Sequence, residues 1–81
     1  MAKRPKYEVI ERQMAFSSDP FPDHTYGLRD NRDEALDFAE SLKYNAYSDD
    51  LIIVYLIEPD EDGHFHRSNG HVIYEERGNL K

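Results

Sequence analysis

Cysteine is missing from this 81-residue chain, which excludes a disulfide framework, a thiolate zinc site and a cysteine nucleophile. Long apolar runs are missing too. The longest, Leu51–Ile57, falls far short of the ~20 residues that a membrane-spanning helix needs. Glycine is scarce, and Gly27, Gly63, Gly70 and Gly78 stand singly, so no glycine-rich loop can cradle a phosphate. Ser17, Ser18 and Ser41 lack the G-x-S-x-G surroundings of a nucleophile elbow. Base is the scarcest quantity: ten Lys+Arg face seventeen Asp+Glu, a formal charge of −7. There is no internal repeat and no low-complexity tract. The N-terminus has no apolar stretch of the secretory kind, so Met1 is expected to begin the mature chain, and a cytoplasmic location is expected with it.

What base there is gathers at the start. Residues 1–12 hold Lys3, Arg4, Lys6 and Arg12 against Glu8 and Glu11, a local +2, whereas residues 13–81 hold six bases against fifteen acids, or −9. Residues 1–6 read as a flexible basic arm on a single domain spanning 1–81. The body of that domain projects a strong negative field.

Tyr7–Phe16 is rich in Tyr, Val, Ile and Phe and stops at Ser17-Ser18-Asp19-Pro20, the pattern of a first strand. Tyr7 and Val9 share one face; Ile10, Met14 and Phe16 share the other with Arg12, an imperfect alternation that suits a bulge or an edge. Residues 17–30, with Pro20 and Pro22, read as a loop that packs back on the core through Phe21, Tyr26 and Leu28. His24 is a solvated side chain of that loop. Asn31 followed by Glu34 has the form of a capping box, and Ala35, Phe38, Ala39, Leu42 and Ala46 recur at helical spacing, with Leu36 widening the stripe. A helix over about 32–45 follows. Leu51–Ile57 is a strand apolar on both faces; Glu58–Gly63 is a turn, His64–Arg67 a short strand, Ser68–Gly70 a tight turn and His71–Arg77 a last strand. The expected fold is α+β, in the order β-α-β-β-β, one helix packed on a small antiparallel sheet.

One helix covers one face of a sheet, yet the Leu51–Ile57 strand is apolar on two. Burying such side chains is worth about 1.5–3 kcal/mol each. The second face is therefore expected to be covered by the 17–30 loop, by a second copy in a homodimer, or by a partner.

Three constellations could carry chemistry. His64 and His66, two apart on a strand, with His71 as a candidate third ligand, suit zinc, copper or nickel; stray hairpin histidines are the more common occurrence. Glu58, Asp60, Asp62 and Gly63 imitate the first half of an EF-hand loop, but Asn69 stands where a bidentate Glu is required. Acid–base catalysis needs differently tuned groups converging in a pocket, and the apolar runs point instead to a small filled core. No cofactor, no resident metal and no catalysis are expected. Direct binding of nucleic acid is not expected either, because −9 over most of the chain repels phosphate.

The remaining constellation is the acid itself. Asp33, Glu34, Asp37 and Glu40 fall on the helix face opposite the apolar stripe, and Tyr44 continues the line. Four carboxylates along ~10.5 Å of rise give about one charge per 3 Å, close to the ~3.4 Å per phosphate of a DNA strand. Asp60, Glu61 and Asp62 form a second patch. Such runs are ordinarily just solvated surface. The sharper expectation is a surface that mimics DNA and occupies a basic, nucleic-acid-binding groove on another protein. In size, acidity, lack of cysteine and one-helix layout, the whole chain resembles the small inhibitors that phages and mobile elements encode against host defence, anti-CRISPR proteins above all. That family shares no common motif, so the resemblance names no residue. It implies a non-catalytic inhibitor without a cofactor, acting in the cytoplasm of a bacterial host on a partner such as a CRISPR surveillance complex. The alternative expectation is a metal-binding or catalytic hairpin built on His64, His66 and His71.

Overall fold

A computed structural model describes residues 4–13 and 23–80 of the chain. Strand β1 (Lys6–Gln13), strand β2 (Asp23–Arg29), helix α1 (Arg32–Asn45), strand β3 (Asp50–Pro59) and strand β4 (Phe65–Arg77) follow in order. The strands form one antiparallel sheet of order β2-β1-β3-β4. The α+β class, and one helix on an antiparallel sheet among the described residues, are as the sequence implied. The element order is not: it is β-β-α-β-β.

Two corrections account for the difference. Residues 23–29 are an edge strand rather than loop, paired to β1 from Tyr7↔Arg29 to Arg12↔Asp23. Their alternation is hidden because the strand carries a bulge: Glu8 faces Leu28 and Ile10 faces Thr25, so Tyr26 and Gly27 together oppose Val9. Gly27 has φ 91°, the left-handed conformation that a bulge of this type requires. Secondly, β4 is one strand through Ser68–Gly70, not two strands about a tight turn. The hairpin turn is the acidic segment before it. Gly63, at φ 84°, donates its N–H to the Asp60 carbonyl at 3.0 Å, and the Asp60 N–H reaches the His64 carbonyl at 2.9 Å. Gly70 has a different duty. A Cβ there would lie 3.0 Å from the Arg67 carbonyl oxygen and 3.3 Å from Ile57 Cγ1, so glycine permits the irregular register that separates Ile57↔Gly70 from Pro59↔Phe65.

α1 begins and ends as its sequence requires. Asn31 Oδ1 accepts the Glu34 N–H at 3.1 Å, while the Glu34 carboxylate turns to Arg29 at 3.7 Å. At the far end the Lys43 carbonyl accepts the N–H groups of Ala46 and Asn79, and the Ala46 carbonyl accepts that of Leu80. A strap of residues 78–80 thus satisfies carbonyls that a helix terminus leaves open. Gly78 sits so close that a Cβ would collide with the Ala46 and Tyr47 carbonyl oxygens.

The core has two sides. Val9, Ile52 and Val54 pack with Ala35, Ala39 and Ala46 beneath α1, joined by Tyr7, Tyr26, Phe38, Leu42, Ile73 and Tyr74. The two helical alanines let the backbone approach the sheet closely. On the other side Ile10, Ile53 and Ile57 are no more than 1% exposed within the single chain. That burial removes the apolar ground for expecting a second copy over β3. Met14, Phe16, Pro20, Phe21, Pro22 and residues 1–3 of the basic arm lie outside the described residues, whereas Lys6, expected in that arm, opens β1 opposite Ile57.

Candidate functional site

Asp33, Glu34, Asp37, Glu40 and Tyr44 are all exposed on α1, opposite its buried alanines. Ion pairing separates them. Glu34 meets Arg29, whose guanidinium also stacks over Phe38 at 4.2 Å; Asp33, Asp37 and Glu40 form no salt bridge among the described residues. Beyond Glu40 the stripe runs into aromatic surface. Tyr44 is 60% and Tyr47 62% exposed, and Tyr47 bridges to the exposed Leu80. Tyr74 lies under the same end of the helix. Its hydroxyl pKa is raised by burial and by the charges of Glu76 and Glu40. Tyr47, Tyr74 and Leu80 carry no local signal in the sequence, because only the 78–80 strap brings Leu80 beside Tyr47.

The opposite sheet face neutralises its own charge. Arg12 Nε–H and Nη2–H donate to the two Asp23 carboxylate oxygens at 2.7 and 3.1 Å. Arg67 donates to Glu8 at 2.8 Å and to Asp23 at 3.0 Å, with its guanidinium 5.6 Å from the Tyr55 ring centroid. The hydrogen bond from Arg12 holds the Asp23 carboxyl below the usual carboxylate range. This network joins β1, β2 and β4, and within it two guanidinium groups match two carboxylates.

At the α1 side of the sheet, Glu11 and Asp50 meet as a carboxylate pair. Burial, then the hydrogen bond to Glu11, pushes the Asp50 carboxyl up to about 6. Tyr26 donates to Glu11 Oε1 at 2.8 Å and has its own pKa pushed up to about 12 by burial and that carboxylate. His24, on β2, stacks edgewise on Tyr26 at 4.6 Å. Tyr26 also packs against Phe38, and the cluster closes the core edge rather than lining a cleft.

The hairpin loop holds the second acidic patch. Asp60 Oδ1 accepts the N–H groups of Asp62 at 2.9 Å and His64 at 2.8 Å, and these bonds, the one from His64 first, hold its carboxyl below the ordinary range. Asp60 Oδ2 lies 3.3 Å from His66 Nε2. Donor atoms of Asp60, His64 and His66 all fall within 4.8 Å of one another. His71 is not among them; it pairs with Leu56 farther along β4. Ten residues of β3 span ~33 Å and fourteen of α1 only ~21 Å, so the hairpin outruns the helix. The register Tyr7↔Leu56 and Tyr7↔Arg29 sets Asp33 and Glu34 toward the hairpin end, with Glu40 and Tyr44 toward the other. Between β3 and the irregular part of β4, Glu58, Pro59, Ser68, Asn69, Gly70 and His71 line a shallow polar depression.

No helix among the described residues is long and apolar enough to cross a membrane. No protein-family model, curated protein or solved structure matches this chain.

Proposed function

We propose that the chain is a non-catalytic binding protein whose α1 face docks on a basic, nucleic-acid-binding surface of another protein. The observation that carries this reading is the unneutralised line Asp33, Asp37 and Glu40 running into exposed Tyr44 and Tyr47. Carboxylates complementary to lysine and arginine steer encounter and set orientation, and exposed tyrosines beside them are a residue type enriched among interface anchors. The contrast with the self-neutralised face of Arg12, Asp23, Arg67 and Glu8 supports the choice of side. Glu34 and the Asp60–Asp62 turn extend the negative field toward the hairpin end. A partner that grips DNA or RNA, such as a CRISPR surveillance complex, has the surface this stripe fits, and binding there blocks the nucleic acid.

Competition tests the reading. The chain is titrated against purified nucleic-acid-binding complexes with labelled duplex present, at rising salt, beside the double variant Asp37→Lys/Glu40→Lys. Displacement of the duplex is expected, weakening steeply with salt and by about tenfold or more in the variant. Binding indifferent to ionic strength and to charge reversal would end the proposal.

A further inference from the structure

We infer that the β3–β4 hairpin is a binding site for a divalent transition-metal ion of the zinc type, held by Asp60, His64 and His66. Two imidazole nitrogens are donors that zinc, copper and nickel take and that calcium and magnesium, which are held by all-oxygen sets, do not; the carboxylate is a third donor that zinc accepts. The spacing fits. A tetrahedral zinc with ligands at about 2.0–2.1 Å holds neighbouring donor atoms about 3.3–3.5 Å apart, and His66 Nε2 stands 3.3 Å from Asp60 Oδ2. His64, exposed and with its ring 6.2 Å from that of His66, supplies the third donor by side-chain rotation, since its nitrogen already lies within 4.8 Å of the other two donor atoms. The loop backbone orients the carboxylate: Asp60 Oδ1 is engaged by the Asp62 and His64 N–H groups, and Oδ2 lies on the His66 side. Glu58, Glu61 and Asp62 flank the loop and raise the local concentration of cations. Three protein ligands at an exposed hairpin tip leave a fourth position for water or for a donor from a partner. His71, the third ligand considered from sequence, is replaced by Asp60.

The experiment uses the full chain freed of metal by chelation, titrated with zinc by calorimetry and melted with and without it. One zinc per chain is expected, and free zinc at about five times its Kd raises the Tm by about 4–8 °C. His64→Ala and His66→Ala each weaken binding by about tenfold or more. Asp60→Asn keeps the acceptor for both loop N–H groups and still weakens binding. His71→Ala binds as the parent does, and calcium at the same concentration leaves the Tm unmoved. The assignment is overturned by no zinc uptake at millimolar metal, by undiminished uptake in the His64→Ala/His66→Ala double variant, by loss of binding in His71→Ala, or by an equal response to calcium. Both histidines are exposed, so their removal leaves the fold in place, which the parent Tm of the metal-free variants checks.

Discussion

Replacing Asp50 with asparagine should stabilise the protein at alkaline pH and leave it unchanged in acid. Asp50 is pushed from an ordinary 3.8 up to about 6 by burial and by Glu11. Well below pH 3.8 the group is neutral in folded and unfolded chains alike and contributes no pH dependence. Between about pH 4 and 6 the folded chain keeps a proton that the unfolded chain has released, so stability falls as pH rises through that window. Above it the folded state carries the full penalty of ionising Asp50 beside Glu11. A gap of about two pH units at ~1.36 kcal/mol each sets a ceiling of ~3 kcal/mol; solvent screening at a partly exposed site lowers the expectation to about 1 kcal/mol. The asparagine amide offers Glu11 an N–H donor where the protonated acid offers an O–H, so the contact survives without the ionisation. The assay is a pair of thermal melts, parent and Asp50→Asn, at pH 2.5 and pH 8. The variant should match the parent at pH 2.5 and melt about 4–8 °C higher at pH 8. A difference in Tm that is the same at both pH values would refute the reasoning, because a contact effect alone has no reason to follow the proton.

The Arg12–Asp23 pair has the opposite sign. Arg12→Met is expected to cost about 1–2 kcal/mol at pH 7, a loss that fades as acid protonates Asp23 below the usual carboxylate range, read from urea midpoints at pH 7 and pH 2.5. Ile53→Ala, on the sheet face away from α1, is expected to cost about 2–4 kcal/mol in denaturant unfolding, because the single chain already buries Ile53; a cost under about 0.5 kcal/mol would show that face open. Gly78→Ala should lower the Tm markedly, since its Cβ has no room beside the Ala46 and Tyr47 carbonyls, whereas Gly63→Asn keeps a residue tolerant of positive φ and should cost little.

Helix α1 was fully legible in the sequence, from Asn31 to Asn45, because a cap and a 3.6-residue stripe are local signals. β3 was legible for a similar reason: only a central strand needs apolar residues on both faces. β2 was not, since Gly27 and the bulge shift its side chains out of alternation, and its polar residues meet their partners, Glu8, Glu11 and Arg12, only after β1 is in place. Asn69-Gly70 is a strong hairpin signal that misled, because that glycine serves a close approach to Arg67 and Ile57; the turn belongs to Asp62-Gly63. The acidic positions on α1 followed directly from helical spacing. The aromatic extension through Tyr47 and Leu80, the pairing of Glu11 with Asp50, and the substitution of Asp60 for His71 depend on register across strands, which spacing along one strand does not contain.

The strap at residues 78–80 also bears on how the protein is made. β1 has two neighbours, but its inner one is β3, with Val9 paired to Val54; the β1–β2 hairpin and α1 emerge from the ribosome before that partner exists. Until β3 arrives, Val9 and Ile10 have only an edge strand beside them, and a two-stranded ribbon in water is marginal at best. β3 then closes the core on both sides at once, and the Ala46 carbonyl waits longer still, for Leu80, as does the Lys43 carbonyl for its shorter bond, from Asn79. Folding of this chain is therefore a late, concerted event rather than a growth from the N-terminus. A nascent chain stalled before residue 78 should hold its helix end frayed and sensitive to protease, while the released chain should not.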